Sequence, residues 1–177
     1  FNYSNSNLTG TTTGWAGVAS VARKLRWKNT SAVASNVANW EDPNNWELVS
    51  GGTALQTVLA PAPQCPPTRV DTAVFDNTSF SASGQVVMIN MPLTEVGSLY
   101  WQNIATGSNP TFSTTANTNW LHIYASLAFH TGMQQSFSGP VLFRGDPALG
   151  TPVFSVSTIR TGGKPFLNKI RFTGDAD

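Results

Sequence analysis

Apolar and polar residues alternate along most of this chain in runs too short for stable helices. In Trp120-Leu121-His122-Ile123-Tyr124 one set of side chains takes one face and Leu121 with Ile123 the other, the period-two pattern of a half-buried strand. Runs of this kind, punctuated by Gly, Pro, Asn and Ser, predict strands at 86–89, 97–102, 111–114, 120–124, 127–130, 141–144, 153–159 and 169–173. A further strand is read in "TRVDTAVFDNTSF", where Val70, Ala73, Val74 and Phe75 stand between Asp71 and Asp76. The one helical signal, over 14–25 with Ala16, Ala19 and Ala22, is weakened by Val and Gly. Residues 60–67, "APAPQCPP", carry too many prolines for a ladder strand, since each lacks the donor N–H, and predict an extended connector.

A short internal repeat chooses among β architectures. Val141-Leu142-Phe143-Arg144-Gly145-Asp146 aligns with Ile170-Arg171-Phe172-Thr173-Gly174-Asp175 at an offset of 170 − 141 = 29 residues, within the range of solenoid rungs. In such a coil Phe stacks on Phe inside and the chain turns at Gly. The expected fold is all-β: an N-terminal β-rich cap with its proline-rich connector over 1–67, then the start of a right-handed parallel β-helix over 68–177, cut at "RFTGDAD". A β-sandwich is the structural alternative.

Composition leads to the expectation of a secreted, extracellular body. Charged residues are 11% of the 177 positions, well below the usual quarter, and neutral polar surface of that kind is typical of secreted chains. The chain begins with Phe and shows no signal peptide, so any targeting segment is expected to be removed or to lie outside it. No apolar run approaches the length of a membrane span, which excludes insertion by a helix. The net charge is +1 and the one basic cluster, 23–28, reads as a solvated strand face, so nucleic acid is not an expected partner. The single Cys65 excludes an internal disulfide and a zinc motif.

Candidate chemistry gathers in "NWEDPNNW", residues 39–46. As structure, Trp40 and Trp46 are core pillars: the Asp-Pro-Asn-Asn turn doubles the chain back, and each indole N–H seeks a nearby carbonyl. As a carbohydrate site, Trp40 and Trp46 stack a sugar while Asp42 and Asn44 bond its hydroxyls; Trp101 and Trp120 are further platforms. As a calcium site, Asp42, Asn44, Asp71 and Asp76 offer hard oxygens, although the spacing is not that of an EF-hand. Calcium is the only cofactor these residues suggest. For catalysis the inventory is poor: His122 and His130 have no Ser, Cys or carboxylate motif around them, and Glu95 is the one charged side chain in 85–135.

The ordered series "LRWKNTSAVASNVANWEDPNNWELVSGG", a proline-rich link and "PTRVDTAVFDNTSFS" resembles the opening unit of large adhesin-like surface proteins of gliding Bacteroidetes. The later "TPVFSVSTIRTGGKPFLNKIRFTGDAD" is similar to the β-helical repeats that follow that unit. The resemblance covers about 25–177. It implies type IX secretion, a long extracellular chain, a non-catalytic role in adhesion, gliding or surface structure, and no catalytic motif. The implied partners are the remainder of the parent chain, the secretion machinery during export, and surface glycans or other cell-surface proteins.

Overall fold

The computed structural model describes residues 22–51, 64–144 and 158–173. The strands are β1 (Arg23–Trp27), β2 (Val37–Asn39), β3 (Trp46–Gly51), β4 (Thr72–Phe75), β5 (Val86–Ile89), β6 (Leu93–Val96) and β7 (Ser98–Trp101). They continue with β8 (Thr111–Thr114), β9 (Trp120–Ile123), β10 (Ser126–Ala128), β11 (Gln134–Gln135), β12 (Val141–Arg144), β13 (Thr158–Arg160) and β14 (Ile170–Thr173). No α-helix occurs among the described residues, and the stretch predicted as helical is strand from Arg23 onward; residues 14–21 lie outside those described. The inward alternation of Arg23, Leu25 and Trp27 overrides the weak Ala spacing, because a strand buries all three on one face.

Three sheets share these strands, in the orders β13-β10-β7-β4-β1-β3, β11-β8-β5-β2 and β14-β12-β9-β6. From β4 to β12 the chain visits the first, second and third sheet in turn, then returns to the first at β13 and the third at β14. Each of these strands except β6, which begins the third sheet, pairs in parallel with a strand one circuit earlier. Before this run β3 lies antiparallel on β1, with Trp27 opposite Trp46. A sandwich of antiparallel sheets is therefore corrected: every other strand pair is parallel.

The repeat detected in the sequence is a true register. Val141 pairs with Ile170 and Phe143 with Phe172, whose rings stack at 5.2 Å between centroids and 13° between planes; the Gly-Asp corners at 145–146 and 174–175 lie outside the described residues. Other strand expectations shift. The predicted strand 127–130 is Ser126–Ala128, and that at 153–159 is described only at its end, in β13.

Aromatic rings form a file through the middle of the sheets. Phe75 stacks on Trp101 at 4.2 Å, Trp101 meets Phe112 edge-on at 5.9 Å, and Phe112 stacks on Phe137 at 5.3 Å. Phe129, Phe166, Phe143 and Phe172 carry the file on to β14. Offset or edge-on ring pairs contribute beyond their buried area. Residues on both sides of position 67 enter this one core, Trp27 with Phe75 for instance at 5.8 Å.

The turns between strands are tight. At the corner between β6 and β7 the Gly97 N–H donates to Thr68 O, and a Cβ there would lie 2.7 Å from Asp71 O and 2.9 Å from Arg69 O. Both neighbours are backbone and cannot swing away. Gly97→Ala is therefore expected to lose about 1–3 kcal/mol in urea unfolding, whereas a loss under about 0.5 kcal/mol would show that the corner relaxes.

Candidate functional site

The loop "NWEDPNNW" closes on itself through short polar contacts. Asp42 caps a 3-10 turn at Pro43–Asn45, accepting at Oδ1 from the Asn44 N–H and from Asn44 Nδ2, both at 2.9 Å. Asn45 Nδ2 donates to Asn39 O at 3.0 Å, and the Trp46 N–H returns to Pro43 O. Asp is favoured at such a cap because its carboxylate satisfies an N–H that the turn leaves free.

This turn delivers both indoles to the interior. Trp40 is 2% exposed and Trp46 is fully buried, 4.8 Å from each other edge-on, and Trp46 Nε1 donates to Trp40 O at 2.7 Å. Trp27 and Phe75 complete the cluster. Trp40 and Trp46 are thus corrected as sugar platforms, since neither ring has a free face; Trp101, 1% exposed, is excluded for the same reason. Asp42 and Asn44 remain outside, but they bond each other. Beside them Asn29, Ser31, Asn36, Asn39 and Asn45 line a polar hollow with no aromatic floor.

The four residues expected to hold calcium do not form one donor set. Asp71 is the most occupied: Arg23 donates to its Oδ1 from the backbone N–H at 2.8 Å and from Nε at 3.1 Å. Its Oδ2 accepts from Arg23 at 2.6 Å, from the Thr68 N–H at 2.9 Å and from Thr68 Oγ1 at 2.8 Å. Asp76 holds its own loop through Thr78 and faces Arg26, and Asp42 with Asn44 is committed to the cap. Among the described residues no three His, Cys, Asp or Glu side chains come together as metal donors. The carboxylates of Asp42, Asp71 and Asp76 are thus each engaged within the fold, and calcium at Asp42, Asn44, Asp71 and Asp76 gains no support from these contacts.

The basic cluster is not one solvated face either. Arg23 points inward, 6% exposed, and its ion pair with the 1%-exposed Asp71 neutralises both charges. Arg26 and Lys28 point outward and share Glu47, across from β1 on β3. Cys65 is exposed and free.

A different set of side chains meets on the outer face of the third sheet. Glu95 on β6, His122 on β9, Leu142 on β12 and Arg171 on β14 form one row across four strands. Leu93 and Trp120 form the neighbouring row, with the Arg171 guanidinium 5.7 Å from the centre of the Trp120 ring. Leu93, Trp120, His122, Leu142, Arg171 and Thr173 line a shallow, mostly apolar groove of about 340 Å³. Tyr124 hydrogen-bonds through its hydroxyl to Glu95 Oε1.

Burial governs titration on this face. Loss of water pushes the Tyr124 phenol well above its ordinary range, and the bond to Glu95 adds to the shift. It also lowers the His122 imidazole, with Arg144 reinforcing the effect and Glu95 opposing it, so His122 is neutral near pH 7. Elsewhere burial raises the Glu41 carboxyl against the pull of its backbone bonds. His130 serves a turn, its Nδ1 accepting the Gly132 N–H at 3.0 Å.

Of the aromatic platforms named from sequence, Trp120 alone keeps exposed surface among the described residues. Its partners Arg171, Leu93 and Leu142 were not singled out from sequence. Their shared outward parity was the available signal, but it becomes readable only once the strand registers are known.

A scan against protein-family models matched no family, and searches of curated proteins and of solved structures found no match. Among the described residues no helix is long and apolar enough to cross a membrane.

Proposed function

We propose that this chain is a non-catalytic extracellular module of a larger surface protein, the cap and first rungs of a parallel β-solenoid that serves as a stiff, adhesive stalk. The observation that carries this reading is the circuit of three sheets in which, from β4 on, every strand but β6 lies parallel on a strand one circuit earlier, around a continuous aromatic file. Such stacking makes length by repetition, and every added rung buries its inward face against the last.

The start of the stack supports the cap. There β3 turns back antiparallel onto β1, and the ring cluster of Trp27, Trp40 and Trp46 fills the end of the core. An edge finished in this way offers less to other strands. A non-catalytic role fits the two histidines, one bonded within a turn and the other beside a carboxylate already engaged by Tyr124. Export by a type IX route, a gliding Bacteroidetes source, and partners among surface glycans or cell-surface proteins follow from the resemblance of the motifs.

Antibody labelling of unpermeabilised cells that make the parent protein tests the reading. Labelling of intact cells is expected, with loss after brief external proteolysis. An epitope reached only after permeabilisation would overturn the surface assignment.

A further inference from the structure

We propose that the groove on the outer face of the third sheet binds an acidic polysaccharide, with a pyranose ring laid against Trp120 and a ring carboxylate held by Arg171. The proposal deepens the adhesive half of the function proposed above and rests on that half alone.

Three observations carry it. The first is the platform: the Trp120 indole is part-exposed, while Leu93 and Leu142 give the groove an apolar floor. A pyranose presents a flat face of C–H groups to such a surface, and a mostly apolar lining with a few placed polar groups is the usual composition of small-ligand sites.

The second is the charge. Arg171 lies over the indole, and no carboxylate pairs with it among the described residues. A guanidinium stacked on a ring keeps its N–H edge free and planar, the geometry that takes a carboxylate through two parallel hydrogen bonds. Lys169 is exposed beside it, whereas the one acid of the row, Glu95, keeps its charge but stands at the opposite edge of the sheet, on β6, where it accepts from Tyr124. The β14 end of the groove is therefore complementary to an anion.

The third is the state of the backbone. Strand β9 is paired on both sides, by β6 and β12, and β12 by β9 and β14. Trp120 and Leu142 therefore stand on inner strands with no free ladder edge, while β6 and β14 are the outer strands of this sheet among the described residues. Over the inner strands recognition comes from side chains, and a ring with a charged substituent uses both the indole and the guanidinium. Successive strands lie about 4.8 Å apart, so the row from Glu95 to Arg171 makes a track along which an extended polymer can lie.

The test is affinity electrophoresis and titration calorimetry on the whole chain at low salt. The probes are polygalacturonate, neutral dextran and poly-glutamate. Retardation by polygalacturonate alone is expected, weakening as salt rises. Trp120→Ala and Arg171→Ala are each expected to lower affinity about tenfold or more, the weight of one charge-assisted or stacked contact. Arg171→Lys should recover part of the loss. Arg171 is exposed, so its variants stay folded and keep the test decisive if Trp120→Ala does not fold.

Unchanged affinity in Arg171→Ala would overturn the proposal, as would binding of poly-glutamate as tight as that of polygalacturonate. Binding of dextran at equal strength would overturn the acidic class and leave adhesion to glycans standing. Labelling of intact cells reads the surface location independently of all three probes.

Discussion

Trp46→Ala will lower the unfolding free energy by about 3–5 kcal/mol, the usual cost of emptying a large aromatic site in a packed core. Trp46 has no exposed surface and touches Trp27, Trp40 and Phe75 at ring separations of 5.2, 4.8 and 5.8 Å. It also donates to Trp40 O, so truncation leaves a buried carbonyl without its indole partner. Neighbours can relax into the space only by breaking the register of β1 on β3, where Trp27 and Trp46 are directly opposed. Urea unfolding followed by circular dichroism measures the loss. Asp42→Ala is the control: its cap is exposed, and about 1 kcal/mol is expected. Equal small losses in both variants would mean that the loop is a surface decoration rather than the fastening of the first sheet.

Asp71→Ala is expected to cost a similar 3–5 kcal/mol, because it strands the Arg23 guanidinium in the interior. Arg23 spans β1 to the segment before β4, also donating to Cys65 O and Pro66 O, so the same change loosens the chain as it enters the parallel run. The double variant Arg23→Met with Asp71→Leu should recover only the part of the loss due to the stranded guanidinium, since the Arg23 and Thr68 N–H groups still lose their acceptor. Double-mutant analysis of the four proteins gives the coupling. If Arg23→Met alone were as stable as the parent, the pair would hold no structural role.

Much of the fold was legible in short patterns. The offset of 29 between Phe143 and Phe172 predicted a register that the third sheet adopts, because stacked positions must repeat the same inward residue. The indole N–H of Trp46 found a carbonyl, as its burial required. Strand β6 was missed because Pro92 precedes it and Glu95 sits within it, so only Thr94 and Val96 show an inward pattern. Arg23 was misread because its partner is 48 residues away, and five neighbouring positions look like a solvated face.

Of the outer groove only Trp120, named as a platform, and the outward parity it shares with His122 were legible. Its four strands are joined at offsets of 120 − 93 = 27, 141 − 121 = 20 and 170 − 141 = 29 residues. Unequal corners erase any periodic signal for side chains facing solvent, where nothing constrains the residue type. The inward file survives the same irregularity because stacking selects aromatic rings at every turn.

The aromatic file also gives the molecule two optically distinct ends. Trp27, Trp40 and Trp46 crowd together near β1 with Trp101 next in line, whereas the β14 end holds Phe129, Phe143, Phe166 and Phe172. Opening of the first rung therefore changes indole emission and the near-ultraviolet couplet of closely spaced indoles. Fraying at β14, where Phe172 is already 56% exposed, removes Arg171 from the Trp120 ring and so changes the emission of that one part-exposed indole, but leaves the couplet of the clustered indoles untouched. Comparing the near-ultraviolet couplet with far-ultraviolet dichroism through one melt then tells from which end the stack unzips, with no label attached.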